Sequence, residues 1–270
     1  MTILTLSGIK AKQQKTWSSG DYSAVATLIH PIAESLVQAA DLSAGSRVLD
    51  VATGSGNVAI AAARCQCRVT GVDYVPALLA RGRERAAAER LPVEFAEGDA
   101  EALDFPDAAF DAVLSVMGAM FAPDQEQTAA ELARVCRPGG TIALANWTPD
   151  GFIGELFRTI GRRVPPPPGL RAPVEWGGES RLHELFGDAV SDMRVTPREF
   201  VMRFTSPEAF ADYFRANYGP TLKAFEALDE VGGKQLYSDL VDLAARYNIS
   251  TDGTLRIPQA YVEVIATRDH

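Results

Sequence analysis

From residue 46 to 147 the chain alternates short apolar, often β-branched runs with longer stretches whose apolar positions recur at helical spacing. The short runs SRVLDV (46–51), RVTGV (68–72), PVEFA (92–96), DAVLSV (111–116) and GTIALANW (140–147) predict strands. Between them, 57–65, 76–90 and 124–137 are rich in Ala, Arg and Glu and predict helices. Such alternation implies right-handed crossovers and a parallel sheet with helices on both faces. Ligands of these sheets bind beyond the carboxyl ends of the strands, where the winding reverses.

The flanks are patterned differently. Residues 22–40 predict one helix, with Leu28, Ile32, Leu36 and Ala40 on a single stripe, and Gly45 leads into the first strand. VPPPPGLRAP (164–173) cannot be helix or central strand, because proline fixes φ and lacks a donor; it predicts a stiff loop and a candidate pocket wall. A short helix at 179–186 precedes a strand near 190–204 whose alternation calls for an antiparallel partner. Ser206 is placed to cap a helix with Pro207 at its first position, carrying Phe210, Phe214 and Tyr218 at helical spacing. A second helix at 233–247 bears Leu236, Leu240, Leu243 and Tyr247, and the last strand is 257–267. The helical block between the two last strands, about forty-five residues, is too long for a plain hairpin connection and predicts a cap over the sheet's active edge. The expected organisation is an N-terminal lid and helix (1–40), a ligand-binding core (41–150) and a C-terminal part (151–270) whose cap covers about 206–249.

Composition narrows the class. The 270 residues, 47% hydrophobic and 23% charged, suit a soluble chain able to bury a large core. A net charge of −9 opposes a phosphate-backbone partner, and RGRER (81–85), the densest basic run, falls on a predicted helix where a solvated face explains it. Cys65, Cys67 and Cys136 have neither metal spacing nor a disulfide framework, as expected in a reducing compartment. MTILTLSGIKAKQQK lacks the apolar core of a signal peptide, and no apolar run is long enough to span a bilayer. A cytoplasmic location follows as the expectation.

The candidate chemistry lies in RVLDVATGSGNVAI (47–60). Read from Gly54 to Ala59 as G-x-G-x-x-A, the turn would hold a dinucleotide pyrophosphate. Read from Asp50, it sets a carboxylate at a strand tip with small residues behind it. Asp73 closes the second strand nineteen residues after Gly54, where a carboxylate can accept both hydroxyls of a ribose, and this suits either NAD or an adenosyl sulfonium. Asp50 repels a pyrophosphate and attracts a sulfonium or ammonium. Asp99 beside the Ala100 amide can read the amino group and ring nitrogen of adenine. There is no Tyr-x-x-x-Lys or His–Asp pair to organise hydride transfer. These features favour the sulfonium.

VLDVATGSG, GVD at 71–73, GDAEALDFPDAAFDAV at 98–113 and RPGG at 137–140 resemble the ordered motifs of class I S-adenosylmethionine-dependent methyltransferases, in particular the ubiquinone/menaquinone-biosynthesis type and its small-molecule relatives. The resemblance covers roughly residues 45–147. It implies a Rossmann-like, doubly wound α/β fold whose seven-stranded sheet has the order 3-2-1-4-5-7-6, strand 7 antiparallel. It implies S-adenosyl-L-methionine as cofactor, with the turn Ala52, Thr53, Gly54, Ser55 and Gly56 beneath its methionine part. Asp73 would hold the ribose, Asp99 and Ala100 the adenine, and Val116 and Met117 the cofactor's edge. Tyr74 either flanks the adenine or packs as a strand-end aromatic. Ala52 departs from the glycine of many relatives. QQKTWSSGDYSAV (13–25) resembles an N-terminal lid with Trp17 and Tyr22 near the cofactor; otherwise the two rings anchor a terminus.

Methyl transfer from a sulfonium is an in-line displacement that needs alignment and exclusion of water, and a base only if the acceptor must lose a proton. His30 suits packing or capping, His183 a surface, and His270 is terminal, so no base is assigned. Met120, Phe121, Trp147, Phe152, Phe214 and Tyr218 are the candidate pocket for a small, partly aromatic or lipophilic acceptor rather than a nucleic acid. A non-catalytic cofactor-binding module and an NAD-type oxidoreductase are the competing classes.

Overall fold

The computed structural model describes residues 6–269; the first five residues of the N-terminal segment and His270 lie outside the described residues. Three helices, α1 (Leu6–Trp17), α2 (Tyr22–Leu28) and α3 (His30–Ala39), precede β1 (Arg47–Val51). The chain then winds through α4 (Asn57–Arg64), β2 (Arg68–Asp73), α5 (Pro76–Ala88), β3 (Val93–Glu97), β4 (Phe110–Val116), α6 (Gln125–Val135) and β5 (Cys136–Trp147). It continues through α7 (Phe152–Arg163), α8 (Glu179–Phe186) and β6 (Val190–Phe204). Last come α9 (Pro207–Asn217), α10 (Gly219–Glu226), α11 (Glu230–Arg246) and β7 (Leu255–Arg268).

β1 is buried along four of its five residues, as a strand covered on both faces must be. It pairs in parallel with β2 on one side and β4 on the other, so the winding reverses between β1 and β4. The sheet order is 3-2-1-4-5-7-6, with β7 antiparallel to both β5 and β6, as the resemblance implied.

Four local expectations change. The helix expected over 22–40 is two, because Pro31 in the first turn of α3 has no N–H to offer the preceding turn and the chain bends at Ile29. β5 starts at Cys136 rather than at 140, with RPGG inside it. Gly139 sits at φ +66°, and a Cβ on Gly140 would lie 2.8 Å from Asp111 O, so the glycine pair carries the irregular pairing with β4. The block before β7 holds three helices. Ser206 does cap α9, its Oγ accepting from Ala209 N at 3.2 Å, but α10 was not expected. The proline loop leads to a 3-10 turn, Pro173–Gly177, and does not line the cavity described below.

Phe210 and Phe214 are buried with ring centres 4.5 Å apart, and Phe210 lies 5.3 Å from Phe152 and 5.6 Å from Phe204. This aromatic cluster joins α9 to α7 and β6. α1 is held from the other side by backbone contact. A Cβ on Gly219 would lie 2.1 Å from Thr16 O, and one on Gly20, at φ +69°, 2.6 Å from Asn217 O. Only glycine lets the α1–α2 turn seat on the α9–α10 junction.

Gly219→Ala is therefore expected to destabilise the fold by about 1–3 kcal/mol through overpacking and to free α1. Thermal denaturation and trypsin cleavage after Lys15 measure both effects, and faster cleavage at Lys15 with a modest loss of Tm is the expected pair.

Candidate functional site

The reversal between β1 and β4 opens a cavity of about 350 Å³ at the carboxyl edge of the sheet. Its base is the turn after β1. Ala52, at φ +53°, and Gly54, at φ +54°, bend the chain back so that Thr53 N donates to Val72 O at 2.9 Å. The left-handed conformation costs an alanine about 1–2 kcal/mol, which packing must offset. Met117, the residue after β4, is likewise at φ +50° and bounds the cavity from beyond the neighbouring strand. A Cβ on Gly118 would lie 2.6 Å from Ala52 O, so the two turns are pressed together.

Two carboxylates lock this base. Asp73 accepts from Gly54 N through Oδ2 and from Val75 N through Oδ1, both at 2.9 Å, joining the tip of β2 to the turn. Asp50 is turned inward: its Oδ2 accepts from Thr53 Oγ1 at 2.5 Å and from Ala59 N, in the first turn of α4, at 2.9 Å. Asp50 borders the cavity as expected, yet its carboxylate is engaged by the protein and caps a helix, a role that the charge argument missed. Burial pushes Asp50 up to about 7 despite those bonds, with Asp73 adding to the rise. Burial pushes Asp73 up to about 6 against its backbone hydrogen bonds. From α5, Arg85 Nη1 donates to Ser55 O at 2.6 Å and Asn57 Oδ1 at 2.8 Å, and Asn57 Nδ2 in turn donates to Ala26 O at 2.8 Å.

The structure brings Asp50, Ala52, Thr53, Gly54, Ser55, Asp73, Tyr74, Asp99, Ala100, Val116, Met117, Trp17, Tyr22 and Phe121 to one cavity. Gly56 does not line it. At φ +84° it packs against Phe95, 2.9 Å from where its Cβ would stand, so its role is to seat α4.

The remaining candidate pocket residues are corrected. Met120, Phe152 and Phe214 are core side chains, and Trp147 is buried against Tyr261 with ring centres 6.4 Å apart. Tyr218 stands behind Trp17, at 5.7 Å between ring centres, and does not line the cavity. Their apolar character expressed packing in the aromatic cluster, which helical spacing alone cannot tell from a pocket wall. The α9–α11 block accordingly contributes no lining residue; it buttresses the helices that do.

Those helices are α1 and α2. Lys10, Gln13, Gln14 and Trp17 line the roof, and their i, i+3, i+4, i+7 spacing was the available signal. Lys10 Nζ lies 2.6 Å from Asp99 Oδ2 and 2.5 Å from a Glu101 carboxylate oxygen. Gln14 Nε2 donates to Tyr74 O at 2.5 Å and Gln13 Nε2 to Phe121 O at 3.2 Å. Trp17 closes the apolar end, 5.3 Å from Tyr22 and 4.9 Å from Phe121 between ring centres. Among the described residues no His, Cys, Asp and Glu cluster could hold a metal, and no helix is long and apolar enough to cross a membrane.

The family described as "Methyltransferase domain" matches residues 48–140. An uncharacterized protein of Mycobacterium tuberculosis strain H37Rv is 46% identical over 218 residues, 80% of each chain. A demethylmenaquinone methyltransferase of Deinococcus radiodurans is 36% identical over 174 residues, 63% of this chain and 66% of that protein. Among solved structures, the YcgJ protein of Bacillus subtilis superposes with a TM-score of 0.62 over 88% of this chain and 98% of its own, at 18% identity, a likeness of fold.

The raised carboxyl groups set a pH dependence. Folded Asp50 and Asp73 hold protons more tightly than unfolded aspartate, so between about pH 4 and 7 the folded state binds the extra protons and unfolding stability falls as pH rises. Above that window the loss is complete; below it the two groups contribute nothing. Asp50→Asn, which keeps an acceptor oxygen, is expected to flatten the upper part of this fall in the ligand-free protein, measured by denaturant unfolding at a series of pH values.

Proposed function

The chain belongs to the class I S-adenosylmethionine-dependent methyltransferases, with S-adenosyl-L-methionine as cofactor, and from that membership we propose that it methylates a small, partly apolar or aromatic molecule. The observation that carries this reading is the mixed polar and apolar lining of the cavity at the carboxyl edge of the sheet. Carboxylates and backbone amides at the tips of β1 to β3 line it together with the apolar Val116, Met117, Phe121 and Trp17, and the Tyr22 ring lies over Gly54 between the two sets. Such a cavity suits a polar cofactor beside a flat apolar acceptor, and the cover of α1 and α2 over it supports a small acceptor. Its acids, with Lys10 already paired to Asp99 and Glu101, disfavour a pyrophosphate and so the NAD reading.

The Asp73 carboxylate accepts from the Gly54, Val75 and Tyr74 amides, and its remaining acceptor positions take the ribose hydroxyls. Asp99 and Ala100 take the adenine, with Tyr74 along its edge. The turn Ala52–Ser55 passes beneath the methionine part, while Val116 and Met117 flank the sulfonium. The acceptor enters against Trp17, Tyr22 and Phe121. The protein aligns acceptor atom, methyl and sulfur and excludes water. Burial, reinforced by Asp73, raises the Tyr22 phenol far above its ordinary range, so at neutral pH it is a hydrogen-bond donor and not a base. Neither His30 nor His183 lines the cavity. The three free cysteines support a cytoplasmic location.

Calorimetric titration with S-adenosylmethionine, S-adenosylhomocysteine and NAD tests the class, and NAD binding tighter than either adenosyl ligand would remove it. Transfer of labelled methyl to a panel of small aromatic acceptors separates an enzyme from a binding module. Asp73→Ala is expected to weaken S-adenosylmethionine binding by ~1.5–3 kcal/mol and also to lower Tm, because Gly54 N and Val75 N lose their acceptor. Lys10→Met frees Asp99 and is expected to tighten cofactor binding by up to about fivefold, with the gain shrinking as salt is raised. Weaker binding in this variant would instead make Lys10 a direct cofactor contact.

A further inference from the structure

Gln259, near the start of β7, is fully buried, and neither its Nε2 nor its Oε1 has a hydrogen-bond partner. A carboxamide removed from water without partners is destabilising on both counts. Among the described residues the Thr221 hydroxyl is likewise buried and unmet, but only Gln259 leaves two polar atoms of one side chain without a partner. Strand packing gains nothing from such a group, so its persistence points to something that meets it.

Its place in the fold indicates what. β7 runs antiparallel to β5, so its first residues lie at the carboxyl edge of the parallel strands. Trp147, the last residue of β5, pairs with Tyr261, and Gln259 is the next side chain on that face beyond the edge. The face is the one that α3 covers, since Ser35 Oγ lies 3.4 Å from Glu263, two residues the other way along β7. α3 leads toward the amino end of β1, so its start points back to the carboxyl edge. From Ser35 back to Ile29 is about 9 Å along the helix, and from Glu263 to Gln259 about 13 Å along the strand in the same direction. Ile29 lines the cavity. By this reckoning Gln259 lies at the height of Ile29, behind the lining of the cavity, which it does not join, and on the side toward β5 and β7.

We propose that Gln259 is the polar recognition element of the acceptor subsite, exposed when the α2–α3 junction lifts. Its side-by-side N–H and C=O select an aromatic acceptor that carries a hydroxyl next to a carbonyl, the complementary pair. The proposal rests on the methyltransferase reading and adds its substrate class.

Gln259→Met keeps the side-chain length and removes both polar atoms, and Gln259→Leu serves as a second variant. Both are expected to raise Tm by about 2–5 °C and to leave S-adenosylhomocysteine affinity within about twofold, as a residue outside the cofactor site should. Salicylamide, with its hydroxyl beside a carbonyl, is the probe. Its binding to the S-adenosylhomocysteine-loaded protein is expected to weaken at least about tenfold in both variants, the loss typical of a removed buried hydrogen-bonding pair. A fall in Tm would show that the fold or a resident water satisfies the carboxamide and would overturn the proposal. So would unchanged probe binding in the variants, or no probe binding to the loaded wild type; in both cases the cofactor reading stands. Failure of the wild type to bind S-adenosylhomocysteine would overturn that reading and this inference with it.

Discussion

The hydrogen bond from Gly54 N to the Asp73 carboxylate is the contact on which the site depends. It ties the turn after β1 to the tip of β2 and holds Gly54 and Ala52 in left-handed backbone that only a few residue types adopt readily. Asp50 acts as its counterpart from the other side, fastening Thr53 and the first turn of α4. Together the two acids make a rigid concave floor out of a stretch with few side-chain contacts of its own. The same burial that makes these bonds strong raises both carboxyl groups toward neutral pH.

Above the floor, the roof has a different origin. α1 makes few buried apolar contacts, with Ile9 its buried residue, and is held by polar latches and by the two glycine contacts at Gly20 and Gly219. The latches end at the cavity rim: Lys10 on Asp99 and Glu101, Gln14 on the Tyr74 carbonyl, Gln13 on the Phe121 carbonyl. A roof tied by exposed and half-exposed polar bonds opens at lower cost than one packed by a core. The α9–α11 block, by contrast, is cemented by the Phe152–Phe204–Phe210–Phe214 cluster and gives the roof a fixed seat.

Legibility in the sequence differed by element for definite reasons. The strand–helix alternation of residues 46–147 was readable because buried parallel strands and amphipathic helices have distinct periods. The turn residues were readable because small side chains and a carboxylate at strand tips are rare in combination, and all but Gly56 of those named for the cofactor line the cavity. The acceptor residues were not. Met120, Trp147, Phe152, Phe214 and Tyr218 have the apolar surfaces of a pocket and of a core alike, and only their neighbours decide between the two.

Local sequence by itself determined the strand–helix alternation of the parallel core, the small-residue turn after its first strand and the acids at its edges, because these follow from short-range sterics and periodicity. Only the tertiary structure decided which helices cover the cavity, since that depends on contacts between residues two hundred positions apart, such as Thr16 with Gly219. It also decided that Asp50 faces inward, because its partners Thr53 and Ala59 reach it only once α4 has docked on β1. The unmet carboxamide of Gln259 belongs to the same class: a glutamine in a strand pattern reads as solvent-facing until α3 and the cap close over it.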